Sequence, residues 1–444
     1  MTIRFLVDAW EDAEHDSPEI CKTAGSLRIP IGQRSLTRNQ DDWSQSVKQT
    51  TRVAAYPLAQ WFAASWWRLM YEPLPMGGKP STSWRMAHEM PAAGFGFLWP
   101  RIVFAPDGES LQIWSVPTRD ESEQPVRYLT DWCGTVDLHC FATAVDDFMD
   151  LVLNRLEAVD LSESELRDIW KEIEEERADP ALKEFRRMEA MLGFDPDEID
   201  SGVVERFVKL RESIGKPASG EIAAACSSED PIARLEKITE AVEMEGMLGK
   251  FSIPAIEEPA EDRGERPPWA RGHELARNVR EAMGLNGQAI TGSQLSAMVE
   301  LTPEEAFGEN RCRERMPLGV AVRDRGDKVK FVLRKRNPAG RRFELARLIC
   351  DHLLFGSKDN WLPATDTKTV RQKWQRAFAA EFLCPIDALT EWLDDDFSED
   401  AVESAAGRFG VSERTVTSQL VNHRLLPALM LEEGSGMDGF PYQI

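Results

Sequence analysis

Four prolines, Pro254, Pro259, Pro267 and Pro268, are spread among Glu, Asp and Arg between Ile253 and Pro268. Proline fixes φ and removes a backbone donor, so neither a helix nor a sheet ladder runs on through such a stretch. The segment reads as a linker and predicts separate folding on its two sides. At 444 residues the chain has room for two or three domains and a large core. With 42% hydrophobic and 29% charged residues it has the composition of an ordinary globular protein.

Residues 1–156 are dense in tryptophan and proline and read as an α/β domain. Arg52 to Tyr71 predicts a helix after Pro57, with Trp61, Ser65 and Leu69 on one stripe and Phe62, Trp66 and Met70 beside it. Arg101–Phe104 and Leu111–Trp114 flank Ala-Pro-Asp-Gly, the signature of a β-hairpin turn. Arg127–Leu129 and Val136–Cys140 are expected as further strands, and Ala142–Leu156 as an amphipathic helix. Residues 157–252 read as an acidic helical segment, with Ser162-Glu-Ser-Glu165 as a capping box and Asp179-Pro180 opening the next helix. Beyond the linker, 269–431 reads as mainly helical with a small sheet, followed by a tail at 432–444. Gly272–Met283 is helical, Lys328–Leu333 alternates as a strand, and Asn337-Pro-Ala-Gly340 reads as a turn. Arg342–Phe355, Thr369–Leu383 and a helical pair around Gly410-Val411-Ser412 complete the pattern, so the fold class is α+β.

The formal net charge of −23 opposes wholesale wrapping of nucleic acid. The charge is uneven. From Glu157 to Asp200 there are 16 acidic and 6 basic residues, whereas Arg323 to Arg347 holds 10 basic and 3 acidic. Arg334, Lys335, Arg336, Arg341 and Arg342 in this strip are candidate contacts for an anion or nucleic acid. Pairing with the acidic segment of the same chain is the expectation preferred for them. Seven cysteines without a CxxC pair suit buried thiols in a reducing compartment, and a cytoplasmic location is expected. The amino terminus has too short an apolar run for a signal peptide, and no run suggests a membrane span.

Four segments in order carry a resemblance: Gly272-His-Glu-Leu-Ala-Arg-Asn-Val-Arg-Glu-Ala-Met-Gly-Leu285, Arg342-Phe-Glu-Leu-Ala346, Gln375-Arg-Ala-Phe-Ala-Ala-Glu-Phe-Leu-Cys-Pro385, and Phe409-Gly-Val-Ser-Glu-Arg-Thr-Val416. With them, residues 267 to about 431 resemble the ImmA/IrrE family of zinc metallopeptidase-like domains, common in phage, mobile-element and stress-response proteins. The resemblance implies a zincin-like domain whose HExxH helix carries two histidine ligands and a general-base glutamate. At those positions this chain has Arg347, Leu348 and Asp351. Arginine cannot ligate a metal, and leucine cannot take a proton from water. The family's third-ligand glutamate falls where this chain reads Arg371-Gln-Lys-Trp374. His352 lies about 140° around the helix from Arg347 and is expected to face away from the cleft. Arg347 then needs a carboxylate, and Asp351 at i+4 is the expected partner. No catalytic residue, metal or cofactor is expected.

Other candidates have bland readings. Ala405–Leu420 matches a helix-turn-helix pattern in which Arg414, Thr415, Thr417, Ser418 and Asn422 would face bases, but a packing role is preferred because Asp394–Asp396 lies nearby. His273-Glu274 and His88-Glu89 lack a second histidine at i+4 and read as incidental. Cys133, His139 and Cys140 are close in sequence, but strand alternation would separate the last two. Trp61, Trp66, Trp67, Trp84 and Trp99 are expected in the core rather than stacking a ligand. The leading expectation is a catalytically inactive, protein-binding or sensory module of a regulatory, toxin–antitoxin or phage-defence assembly. Its partner would be another protein, encoded nearby. The rivals are an active zinc metalloprotease with unusual ligands and a helix-turn-helix regulator of DNA.

Overall fold

A computed structural model describes all residues except 12, 16, 76–78, 120–122, 229, 255, 257–267, 309–315, 325 and 428–444. Most of the linker and the whole expected tail therefore lie outside the described residues. Helices and small antiparallel sheets alternate in an α+β arrangement. Among the described residues, no helix is long and apolar enough to cross a membrane.

The amino-terminal region is built around α1 (Ala55–Tyr71), which is apolar on nearly every side and buries most of its residues. Pro57 lies inside its first turn, not before it, at a position whose N–H would have no partner within the helix. Strands β1 (Leu6–Trp10), β2 (Ala24–Arg28) and β3 (Thr51–Ala54) form one antiparallel sheet. The expected hairpin is β4 (Arg101–Pro106) and β5 (Ser110–Val116), with β6 (Trp132–Asp137) on its other side. Helix α2 (Leu138–Ala158) crosses behind. Phe5, Phe62, Phe141 and Phe148 pack edge-to-face or tilted at centroid separations of 4.9–6.4 Å. Each such burial contributes about 1.5–3 kcal/mol.

The expected strand at Val136–Cys140 is corrected. Asp137 caps α2 by accepting from the Cys140 N–H at 3.0 Å, so Leu138, His139 and Cys140 form a first helical turn. The middle segment holds α3 (Glu165–Ala178), α4 (Pro180–Met191), α5 (Ser201–Ile214), α6 (Lys216–Cys226) and α7 (Pro231–Glu245). Ser164 rather than Ser162 caps α3, while Asp179 caps α4 as its Asp-Pro pair suggested.

The strand β7 (Met247–Gly249), β8 (Gly319–Arg323), β9 (Val329–Val332) and β10 (Trp361–Ala364) form one antiparallel sheet in the order β7-β9-β8-β10. Alternation sends Ala321, Phe331 and Leu362 to one face and Val320 and Val332 to the other. The first face packs with α8 (Pro268–Ala282), α9 (Pro338–Phe355) and α10 (Val370–Leu383). The second shares a core with α4 to α7. A sheet apolar on both faces needs cover on both, and the acidic helical segment supplies the second layer. Asn337-Pro-Ala-Gly340 is the start of α9 and not a free turn, because the Asn337 side chain accepts from the Gly340 N–H and Pro338 takes the first helical position. Helices α11 (Ile386–Leu393), α12 (Glu399–Phe409) and α13 (Glu413–Asn422) close the described chain.

Candidate functional site

Helices α9 and α10 pack side by side, with β10 against α9, and Arg347, Leu348 and Asp351 of α9 are each 3% exposed or less. Leu348 belongs to the apolar core. The expected Arg347–Asp351 pair does not form. The Arg347 guanidinium donates to the Thr365 carbonyl at 2.6 Å and to Gln372 Oε1 at 2.5 Å. Asp351 is instead taken by Arg371, which donates from Nε and Nη2 at 2.8 and 2.6 Å, while Gln375 adds a third bond at 2.7 Å. A cation on the neighbouring helix gives the two-pronged geometry that Arg347, one turn away on the same helix, does not reach.

Arg371 also donates to Asp359 at 2.6 Å and lies over the Phe355 ring at 4.1 Å. Asp351 and Asp359 thus share one fully buried guanidinium. Gln372 links outward, its amide donating to Glu221 of α6 at 2.9 Å and to the Pro363 carbonyl at 3.1 Å. Glu221 accepts from the Thr369 hydroxyl as well, at 2.9 Å, so the middle segment adds a carboxylate to the network. Burial raises the carboxyl pKa of Glu221 and Asp359, with Arg371 opposing in both cases. Burial also pulls the Arg347 guanidinium down to about 10.

The basic strip is consumed locally rather than by the acidic segment. Arg334 pairs with Glu344 at 2.9 Å and with Asp366. The Asp366 carboxyl, though raised by burial, is brought down to about 2 by Arg334. Arg341 donates to the Ala306 carbonyl at 2.7 Å, and Arg342 donates to the Ile290 carbonyl at 2.7 Å and that of Gly410 at 3.0 Å. Lys335 is half-buried, and Arg336 alone of the five is exposed. The acidic segment finds its own cations: Arg186 binds Glu176, Glu189 and Asp197 at 2.5–2.9 Å.

His352 faces away from Asp351, as its helical position implies. It stacks on Phe251 at 3.9 Å beside a cavity of about 270 Å³, where burial holds its pKa at about 4. A larger cavity of about 300 Å³ lies where the three regions meet, lined by Tyr71, Asp107, Arg187, Glu221, Arg271 and Arg371 among others. Arg414 and Asn422 are exposed on α13, Thr415 and Ser418 are half-buried, and the Thr417 hydroxyl donates to the Glu413 carbonyl. The opposite face of α13 packs, with Gln419 donating to Glu381 and to the Cys384 carbonyl.

His88 is a core group, bonded to Glu72 at 2.9 Å and to the Phe104 carbonyl at 2.8 Å, and stacked on Trp84. All five tryptophans are buried. Cys133, His139 and Cys140 do not converge. Among the described residues, one group of donors lies within metal-ligating reach: His273 on α8, Glu381 on α10 and His423 just past α13, with ligand atoms within 4.8 Å of one another. Sequence reasoning tested His273 only for a histidine at i+4 and passed over it. Its neighbours come from other helices, so no local spacing marks the set.

No protein-family model matches the chain, and no curated protein or solved structure is detectably similar to it.

Proposed function

We propose that the chain is a catalytically inactive, ImmA/IrrE-like protein that serves as a protein-binding or sensory component of a regulatory, toxin–antitoxin or phage-defence assembly in the cytoplasm. The seam of α9 and α10 carries this reading. Where such a peptidase would hold an ion and an activated water, both Asp351 oxygens accept hydrogen bonds from Arg371, Arg347 is bonded to Thr365 and Gln372, and Leu348 is core. A carboxylate so occupied neither ligates a metal nor takes up a proton from water without breaking the network.

The purified chain is expected to cleave no peptide and to keep whatever metal it holds when Asp351→Ala is made. Chelator-sensitive turnover, or stoichiometric zinc lost on Asp351→Ala, would establish the rival active protease. The binding half of the reading is tested by purifying the untagged chain from its own host. A stoichiometric protein encoded by a neighbouring gene supports it, and a chain that elutes alone overturns it. A DNA-binding role has weaker support, because α13 turns its inner face to α10 and Asp394–Asp396 lies close in the chain to its exposed Arg414 and Asn422.

A further inference from the structure

Helices α8 and α10 approach so closely at Gly272 that a Cβ there would lie 2.4 Å from the Trp374 carbonyl oxygen. That crossing places His273, one residue on, beside the carboxy-terminal turn of α10, where Glu381 stands. The Schellman-like end of α13 brings in His423, whose N–H donates to the Gln419 carbonyl at 3.1 Å. The His273 and His423 rings lie 5.3 Å apart, and Trp269 covers one side at 5.2 Å from His273. Among the described residues His423 Nε2 is buried with no hydrogen-bond partner, and His273 beside it is 6% exposed. Buried imidazole nitrogens ordinarily find a partner. Here one such nitrogen stands with a second imidazole beside a carboxylate.

We propose that His273, Glu381 and His423 bind a divalent first-row transition ion, with Zn2+ the best fit. Two imidazoles and one carboxylate are a borderline donor set that suits zinc and that the all-oxygen ions calcium and magnesium do not choose. Tetrahedral bonds of about 2.1 Å need donor atoms about 3.4 Å apart. The present spread of up to 4.8 Å therefore closes by a little over 1 Å on binding, with a ring rotation that turns both lone pairs inward. The fourth position is left to water. Glu381 is already oriented: Oε2 accepts from Gln419 at 3.1 Å and from the Ile386 N–H at 3.2 Å, an outer shell of the kind that fixes ligands. Oε1 holds Arg277 at 2.9 Å, and the Arg277 side chain is 54% exposed, so it can withdraw into water as the ion takes its place. The ion would tie α8, α10 and the end of α13 together. Glu381 is ten residues beyond Arg371 on α10, about 15 Å along the helix, so this site is separate from the Asp351 network and does not depend on the inactive-peptidase reading.

Zn2+ titrated into the metal-stripped full chain tests the proposal, with stoichiometry read by elemental analysis and site geometry by the visible absorption of the Co2+ form. One equivalent is expected, with affinity falling at least about tenfold in His273→Ala and in His423→Ala. His423→Ala follows the last helix and is partly exposed, so circular dichroism should show the fold intact. Arg277→Gln, which removes the competing cation, is expected to tighten binding, a change that loss of a purely structural contact would not give. His139→Ala, on an exposed imidazole, and Asp351→Ala should bind as the wild type. Less than one equivalent bound, or equal binding by the wild type and both histidine variants, overturns the proposal. Zinc lost on Asp351→Ala in place of His423→Ala overturns it too, and the inactive-peptidase reading with it.

Discussion

Helix α10 carries two polar clusters at its two ends, and they are finished to different degrees. At the amino-terminal end Arg371, Gln372 and Gln375 meet Asp351, Asp359, Glu221 and Arg347, and nearly every charged group there has a counter-charge or amide in contact. At the carboxy-terminal end Glu381 is anchored while, among the described residues, His423 Nε2 beside it is buried without a hydrogen-bond partner. Both Asp351 oxygens are taken, so a ligand there must break an old bond, although Arg347 Nε, Asp359 Oδ1 and Gln375 Oε1 of the same cluster are buried without a partner among the described residues. A buried imidazole nitrogen left unpartnered beside a carboxylate has binding free energy still to gain. Asp351 is thus held within the fold, whereas His273, whose His-Glu dipeptide reads as incidental in the sequence, stands within ligating reach of Glu381 and His423.

The sharpest challenge to the first half of that comparison is Arg371→Met. It leaves Asp351 and Asp359 buried without their shared cation and is expected to cost about 3–5 kcal/mol, measured by urea unfolding. A loss under about 1 kcal/mol would mean that the network is not what holds α9 to α10.

Next in size is a pH effect that isolates a buried imidazole with no carboxylate beside it. His352 has a pKa of about 4 in the fold against an ordinary value near 6.5. Between those values the unfolded chain binds more protons, so stability falls as pH is lowered through the window. His352→Phe, which keeps the stack on Phe251, should remove up to about 3 kcal/mol of that fall. His273 and His423, whose pKa values burial also lowers, add to the remaining slope, and added Zn2+ should change the histidine part. Buried carboxyls such as Glu221 and Asp359 oppose it. A pH profile identical in wild type and His352→Phe would refute the burial of this ring.

Arg347→Met should cost no more than about 2 kcal/mol by the same denaturant measurement, because Gln372 Oε1 keeps the Thr365 N–H and the buried cation it loses has no carboxylate in contact. Equal losses for Arg347→Met and Arg371→Met would erase the distinction between the two arginines. The smallest effect is expected of Glu221→Gln, which keeps both hydrogen bonds and removes a charge. Because burial raises the Glu221 pKa, the folded chain holds its proton more tightly than the unfolded chain. That carboxyl therefore favours the fold at low pH and loses its contribution as pH rises through the raised value. The variant should gain on the order of 1 kcal/mol at neutral pH and nothing near pH 4.

Local signals marked many elements correctly. Ala-Pro-Asp-Gly made the β4–β5 hairpin, Asp179-Pro180 opened α4, and the αL glycine Gly410 separated α12 from α13. Where local reading failed, a cap decided. Asp137 turned Leu138–Cys140 from strand to helix, and Asn337 with Pro338 turned an expected loop into the start of α9.

The sequence by itself determined that Arg347 cannot ligate a metal and that Leu348 cannot take up a proton, because ligation and proton transfer are properties of side-chain chemistry. It also marked Trp61, Trp66, Trp67, Trp84 and Trp99 as core residues, through their placement among apolar residues. Only the tertiary structure decided which cation neutralises Asp351, that the acidic helices cover the second face of the sheet, and that His273 meets Glu381 and His423. Those outcomes depend on which helices cross at which residues, and such long-range geometry leaves no periodic trace along a chain.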